Sequence, residues 1–400
     1  MEWQYTLRVV PEVASHFERL EAAISHDFLP FVLQETTAPS ETLRSQLALP
    51  VRCSGLGLPD PSTIADDCFD TSKAVTAPLV ASLIQRQPLD ALDYSAQAAE
   101  TTAIARGTRN AALDADYQRL VRESDGVPQR RLQRAPGTGA WLTTYPSFFN
   151  GTELSAEEFF DNVRIRCGMD PKYLQERCDG CQQRFSVGHA LQCKKGGLIT
   201  VRHDELCYEG SSLMCQAISP SAVAPEPYIY TGRAQRTALR DELDDDGTPS
   251  EKPDDRGDIL CHGFWRRGRT TIFDVRVTDT DARSYLNTEP QKVLANQEQA
   301  KKRKYLKPCE ERRRNFTPLV FSVDGMRGPE TTAACKQLAR RLSAKWGRAY
   351  PQMCQFVNSR LSIALVRSTT MLLRGPRHHD NRHRNYNWGE GDACVPLYLR

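Results

Sequence analysis

No stretch of the 400-residue sequence approaches the roughly 18 uninterrupted apolar residues that a membrane-spanning helix requires. The opening Met1-Glu2-Trp3-Gln4 lacks the basic and then apolar pattern of a secretory signal. Both absences argue against membrane and secreted readings and for a nuclear or cytoplasmic protein. Charge of one sign is missing too: 53 Lys and Arg against 50 Asp and Glu leave +3, so binding to a polyanion has to come from local clusters rather than from a global field. A dense, even cysteine framework is absent as well. The 13 cysteines are odd in number and spread from Cys53 to Cys394 with one tight cluster, which fits a reducing compartment better than a disulfide-stapled domain. There is no internal repeat. What the chain does have is 40% hydrophobic residues, enough to bury a real core, and a length that predicts two or three domains.

Residues 1–125 read as helical. Apolar positions in VVPEVASHFERLEAAISHDFLPFVL recur at three- and four-residue steps, and 79–122 are rich in Ala, Leu, Gln and Arg. Between them, Leu47 to Pro61 carries Pro50, Gly55, Gly57, Pro59 and Pro61 and marks a structured turn. Pro, Gly and Arg collect at 126–140, which predicts a linker over 126–150. Ser155 with Glu158 three residues on predicts a capped helix over 155–166, at the start of a segment 151–210 that runs into the cysteine cluster. The run 241–258 holds nine acids against Lys252 and Arg256 and predicts a mobile acidic loop. Beyond it the pattern predicts an alternating strand at 270–278, a basic helix around 290–307, a strand at 318–325 and helices near 329–346 and 351–373, an α/β order within 211–373. Residues 374–400, rich in His, Arg, Asn and Gly, are expected to be disordered. The fold class is therefore α+β and multidomain: a helical N-terminal region, a small cysteine-rich knuckle and a C-terminal α/β domain.

The strongest local signal is Cys178, Cys181, His189 and Cys193, spaced C-x2-C-x7-H-x3-C with Gly180 and Gly188 inside. Such spacing lets a short chain wrap two ligand pairs around one tetrahedral zinc ion, and four protein ligands leave no open position for water, so the expected role is structural. Buried thiols brought together by chance are the alternative. Cys167, His203 and Cys207 lie close enough to substitute, although His203 alone reads better as a hydrogen-bonding partner. Next to the cluster, Lys194 and Lys195 precede Gly196 and Gly197, which suits either a phosphate contact or a solvated turn.

In TTIFDVRVT, alternation puts Phe273, Val275 and Val277 on one face and Ile272, Asp274 and Arg276 on the other. A carboxylate in mid-strand is costly unless paired or bound to a cation. Asp258 lies sixteen positions upstream, and a hairpin over the intervening segment would bring the two acids together. Two carboxylates and a lysine make a magnesium site able to activate water against a phosphodiester. The lysines available are Lys301, Lys302 and Lys304, beside Tyr305. Lys301 to Arg314 carries eight cations (Lys301, Lys302, Arg303, Lys304, Lys307, Arg312, Arg313 and Arg314) against Glu310 and Glu311, a patch suited to a nucleic-acid backbone. The same residues also fit a salt bridge from Asp274 to Arg276 or a helix Arg, with the basic run a solvated face or import signal.

Three strings, FSVGHALQCKKGGLITVRHDEL (185–206), GDILCHGFWRRGRTTIFDVRVTDTDARSY (257–285) and KKRKY with FTPLVFSVDG (301–325), resemble the C-terminal part of eukaryotic non-LTR retrotransposon polyproteins. In that family a CCHC zinc knuckle precedes a restriction-endonuclease-like domain of the PD-(D/E)xK type. LALPVRCSGLGLPDPSTIADDCF (47–69) is similar to the segment after the reverse transcriptase palm, in the thumb or connection region. The resemblance implies structural zinc on Cys178, Cys181, His189 and Cys193. It also implies catalytic magnesium on Asp258 and Asp274, Lys301 as catalytic lysine with Lys304 and Tyr305 as its neighbours, and DNA or RNA as partner. Paired palm acids are missing, because the only Ala-Asp-Asp, at Ala65-Asp66-Asp67, falls in the thumb-like segment, so polymerase activity is not expected. A start at Met1 inside what resembles an interior thumb helix implies a fragment of a larger element or a start assigned at an internal methionine. The expected activity is magnesium-dependent DNA nicking; a non-catalytic RNA- or DNA-binding protein and a decayed retroelement relic are the rivals.

Overall fold

The computed structural model describes residues 2–229 and 256–377. The protein is a mixed α and β molecule that divides into two compact units, one of residues 1–136 with 166–168, the other of 137–165 with 169–400.

The described part of the first unit is helical. It contains α1 (Glu2–Val9), α2 (Glu18–Ala23), α3 (Leu29–Leu33), α4 (Glu41–Ala48), α5 (Ala65–Gln85), α6 (Ala91–Glu123) and α7 (Gly126–Arg134). Side-chain caps start two of them: Ser40 Oγ accepts the amide of Leu43, and Asp90 accepts those of Leu92 and Asp93. The 33-residue α6 buries only Tyr117 and Leu120, which join Leu49, Cys53 and Leu132 in one small core. Asp66 and Asp67 are exposed in the first turn of α5, where a carboxylate favours the helix N-terminus. The linker predicted over 126–150 is not a linker at its start. Residues 126–134 form α7 because Pro128 falls in the first turn, where it is tolerated, and Leu132 reaches the core while its carbonyl accepts the Tyr117 hydroxyl.

In the second unit, α8 (Ala156–Cys167), whose last residues count with the first unit, begins with the expected reciprocal cap: Glu158 Oε2 accepts Ser155 N at 2.8 Å and Ser155 Oγ accepts Glu158 N at 3.1 Å. Then come α9 (Val187–Gln192), α10 (Leu198–Ala217), β1 (Val223–Pro225), β2 (Ile259–His262), β3 (Thr270–Thr278), α11 (Pro290–Glu311), β4 (Asn315–Ser322), α12 (Pro329–Trp346) and α13 (Tyr350–Arg374). The strands form one open mixed sheet in the order β1-β2-β3-β4, antiparallel except for the parallel pair β3 and β4 that α11 connects. The predicted alternation is what buries β3 on both faces. Phe273 and Val275 pack with α10, α12 and α13 through Leu213, Leu338, Leu342 and Val357, whereas Ile272 packs with Tyr305, Cys309 and Phe316 on the α11 side.

Apart from residues 166–168, segments 151–210 and 211–373, predicted as separate domains, fall in one unit, where α10 packs against α13. The tail predicted to be disordered from residue 374 is ordered over 374–377. The Arg374 guanidinium grips Asp161, and Arg377 is buried, its amide donating to Asp179 Oδ2 at 2.6 Å. The remaining tail, 378–400, and most of the predicted acidic loop, 241–255, lie outside the described residues. Among the described residues no helix is long and apolar enough to cross a membrane.

Candidate metal and nuclease sites

Residues 176–185 make a tight turn. Cys178 N donates to Gln183 O and Gln182 N to Cys178 O, with Gln182 at φ 62°, so Cys178 and Cys181 point the same way. Ser186 then caps α9 through His189 N, turning His189 and Cys193 back toward them. Cys178 Sγ is 3.8 Å from Cys193 Sγ, Cys193 Sγ is 3.9 Å from Cys181 Sγ, and Cys181 Sγ is 3.4 Å from His189 Nε2. Thiolates held at about 2.3 Å from a tetrahedral ion stand about 3.8 Å apart, and a thiolate and an imidazole nitrogen about 3.6 Å, so the four side chains could bind a metal such as zinc. Burial raises the Cys178 thiol, but contacts with His189, Cys181 and the Gly180 amide outweigh it and bring it down to about 7. Gly196, at φ 78°, faces Arg377 so closely that a Cβ would lie 2.6 Å from its Cα, which is why a glycine sits where the chain leaves the knuckle.

The second constellation lies at the sheet. The antiparallel register pairs Ile259 with Phe273, so the predicted hairpin sets Asp258 beside Asp274. Gly257 permits this approach, since a Cβ there would meet Ile272 Cγ2 at 2.3 Å. Asp258 Oδ2 accepts the Val275 amide at 2.5 Å, next along the chain from Asp274. Asp274 is buried, its side chain 7% exposed, and Lys301 Nζ reaches it from α11 at 2.6 Å. Burial pushes the Asp274 carboxyl up, Lys301 and His203 pull it down, and Asp258 adds like-charge repulsion.

The other residues of the basic stretch scatter. Lys302 pairs with Glu330, and Lys304 Nζ donates to the hydroxyl of Tyr305, whose ring is buried against Phe316. Arg312 and Arg314 donate to the carbonyls of Ile229 and Tyr228. Arg303, Lys307 and Arg313 are exposed, as are Lys194 and Lys195. Lys301, Asp258 and Asp274 are thus brought together, whereas Tyr305 serves the core.

Two further residues gain importance, Glu298, which spacing did not predict, and His203, which it read as a hydrogen-bonding partner. Glu298, one turn before Lys301, is buried and accepts the amides of Glu330 and Thr331, fastening the start of α12 to α11. His203, on α10, donates from Nε2 to Asp258 Oδ2 at 3.2 Å and lies 3.6 Å from Cys207 Sγ, contacts that push its imidazole up to about 11. Neither His203 nor Cys207 joins the knuckle, the alternative that spacing had left open. No protein-family model matches the chain, and no curated protein matches its sequence.

Proposed function

We propose that the second unit is a magnesium-dependent DNA-nicking endonuclease of restriction-endonuclease-like fold, carried with a zinc knuckle on a C-terminal piece of a non-LTR retrotransposon protein. The observation behind this reading is Asp274: a carboxylate buried in mid-strand, with Asp258 beside it and Lys301 Nζ at 2.6 Å. Hard carboxylate oxygens suit magnesium, and an acid whose burial disfavours its charge gains from a cation. Held by Asp258 and Asp274, the ion would supply Lewis acidity to the phosphodiester and acidify a water. Lys301 holds a positive charge where negative charge develops on the phosphoryl oxygens, and Val275 N and His203 orient Asp258. Zinc on Cys178, Cys181, His189 and Cys193 holds the knuckle, whose neighbours Lys194 and Lys195 face solvent together with Arg303, Lys307 and Arg313 of the α11 end, cations available to DNA or RNA.

The test is nicking of supercoiled plasmid by the purified chain, with and without magnesium. The expected result is magnesium-dependent open circles, lost in Asp274→Asn with DNA binding retained, and slowed by about a hundredfold or more in Lys301→Ala. A second reading has its own observation, that the Lys301 ammonium pairs directly with the Asp274 carboxylate: a binding module that cuts nothing. A parent inert in both magnesium and manganese decides for it.

A further inference from the structure

His203 and Cys207 are four residues apart on α10 and so share a face of that helix, the face turned toward the start of β2. His203 Nε2 stands 3.2 Å from Asp258 Oδ2 and 3.7 Å from Cys207 Sγ, and ligand atoms of the three residues all lie within 4.8 Å of one another. For zinc, bond lengths of about 2.0–2.1 Å to nitrogen and oxygen and about 2.3 Å to sulfur set tetrahedral edges of about 3.3 Å between nitrogen and oxygen and about 3.6 Å between sulfur and nitrogen. The nitrogen–oxygen separation of 3.2 Å matches its edge, whereas Cys207 Sγ, 3.6 Å from Nδ1 as well as 3.7 Å from Nε2, lies over the imidazole ring and has to turn toward the Nε2 side to reach an ion held there. All three residues are half-buried, so a fourth position stays within reach of solvent.

We propose that His203 Nε2, Cys207 Sγ and an Asp258 carboxylate oxygen form a second, open site for a zinc-type transition-metal ion, with water as its fourth ligand. The donor set of one imidazole, one thiolate and one carboxylate selects a borderline ion such as Zn²⁺ or Co²⁺ and rejects magnesium, which takes oxygen ligands. The ion displaces the proton that His203 shares with Asp258 and the thiol proton of Cys207, both of which leave to solvent. Because Asp258 is common to this site and to the carboxylate pair, the ion and magnesium compete for one ligand. The proposal stands on the clustering of its three donors and holds whether or not the protein cuts DNA.

Cobalt titration of the full chain, stripped of metal under reducing conditions, tests it. Two equivalents should bind. The first fills the three-thiolate knuckle, and the second adds a weaker sulfur-to-cobalt charge-transfer band from one thiolate. Cys207→Ser should erase that band, and His203→Asn should weaken the second equivalent at least tenfold, with far-ultraviolet circular dichroism unchanged in both. Cys181→Ser should disturb the first equivalent only. A single equivalent in the parent overturns the proposal, as does a second equivalent that neither Cys207→Ser nor His203→Asn alters; His203 and Asp258 are then simply hydrogen-bonded.

Discussion

Asp274 must carry its charge where burial opposes it, and its folded pKa is raised by that burial ahead of the pull of Lys301. A raised acid supports the fold below its unfolded pKa and loses that contribution as pH rises through the folded value. Without divalent ions, Asp274→Asn should therefore melt above the parent near pH 7, by roughly 2–4 °C if the gain is about 1 kcal/mol. The gap should close below about pH 4, where the parent acid is also neutral. Magnesium that binds the parent alone narrows the gap at pH 7, and thermal melts across pH and magnesium concentration read both effects. Lysine choice is tested in the same way. Lys301→Ala leaves a buried carboxylate unpaired and should cost about 2 kcal/mol at neutral pH, whereas Lys304→Ala, which loses a contact to the Tyr305 hydroxyl, should cost under about 1 kcal/mol in denaturant titration. Spacing offered three lysines and the resemblance pointed to Lys301; the path of α11 past β3 brings Lys301 to Asp274.

At the scale of elements, the turn at 176–185 and α9 are short and rest on a small buried cluster, so a metal on the four Cys and His ligands would add local folding energy. Chelation, or Cys181→Ser, should raise amide exchange in residues 176–193 far more than in β3 and β4; equal exchange throughout the second unit would refute a local metal-folded knuckle. Helix α8 gives a smaller test. Ser155→Ala removes a cap that satisfies Glu158 N and should cost about 1 kcal/mol, measured by chemical denaturation. Both elements were legible because their signals are local: the cap and the C-x2-C pair each span four residues. Helix α7 was not, because Pro and Gly near its start read as linker, while the contacts that secure it, Leu132 with Leu49 and Tyr117, come from distant parts of the chain.

For the whole molecule, a net charge of +3 means that nucleic-acid affinity depends on where cations remain available. Of the eight in Lys301 to Arg314, Lys301 and Lys302 face acids and Arg312 and Arg314 hold backbone carbonyls. DNA binding should weaken steeply with salt, yet with a double-logarithmic slope short of the roughly −7 that eight phosphate contacts would produce. Filter binding from low to physiological salt measures it, and affinity indifferent to salt would mean that the basic stretch is a solvated face.

Sequence alone determined the features that depend on neighbours a few residues apart: the reciprocal cap at Ser155 and Glu158, the knuckle's ligand spacing, and the period-two pattern that puts Asp274 on the face of β3 opposite Phe273. Tertiary structure decided which helix face meets which strand. Helix α11 crosses β3 so that Lys301, rather than Lys302 or Lys304, reaches Asp274, and α10 passes the start of β2 so that His203 and Cys207 meet Asp258. A helix turns its side chains by about 100° per residue, so a small change in packing angle presents a different residue, and only the assembled core sets that angle.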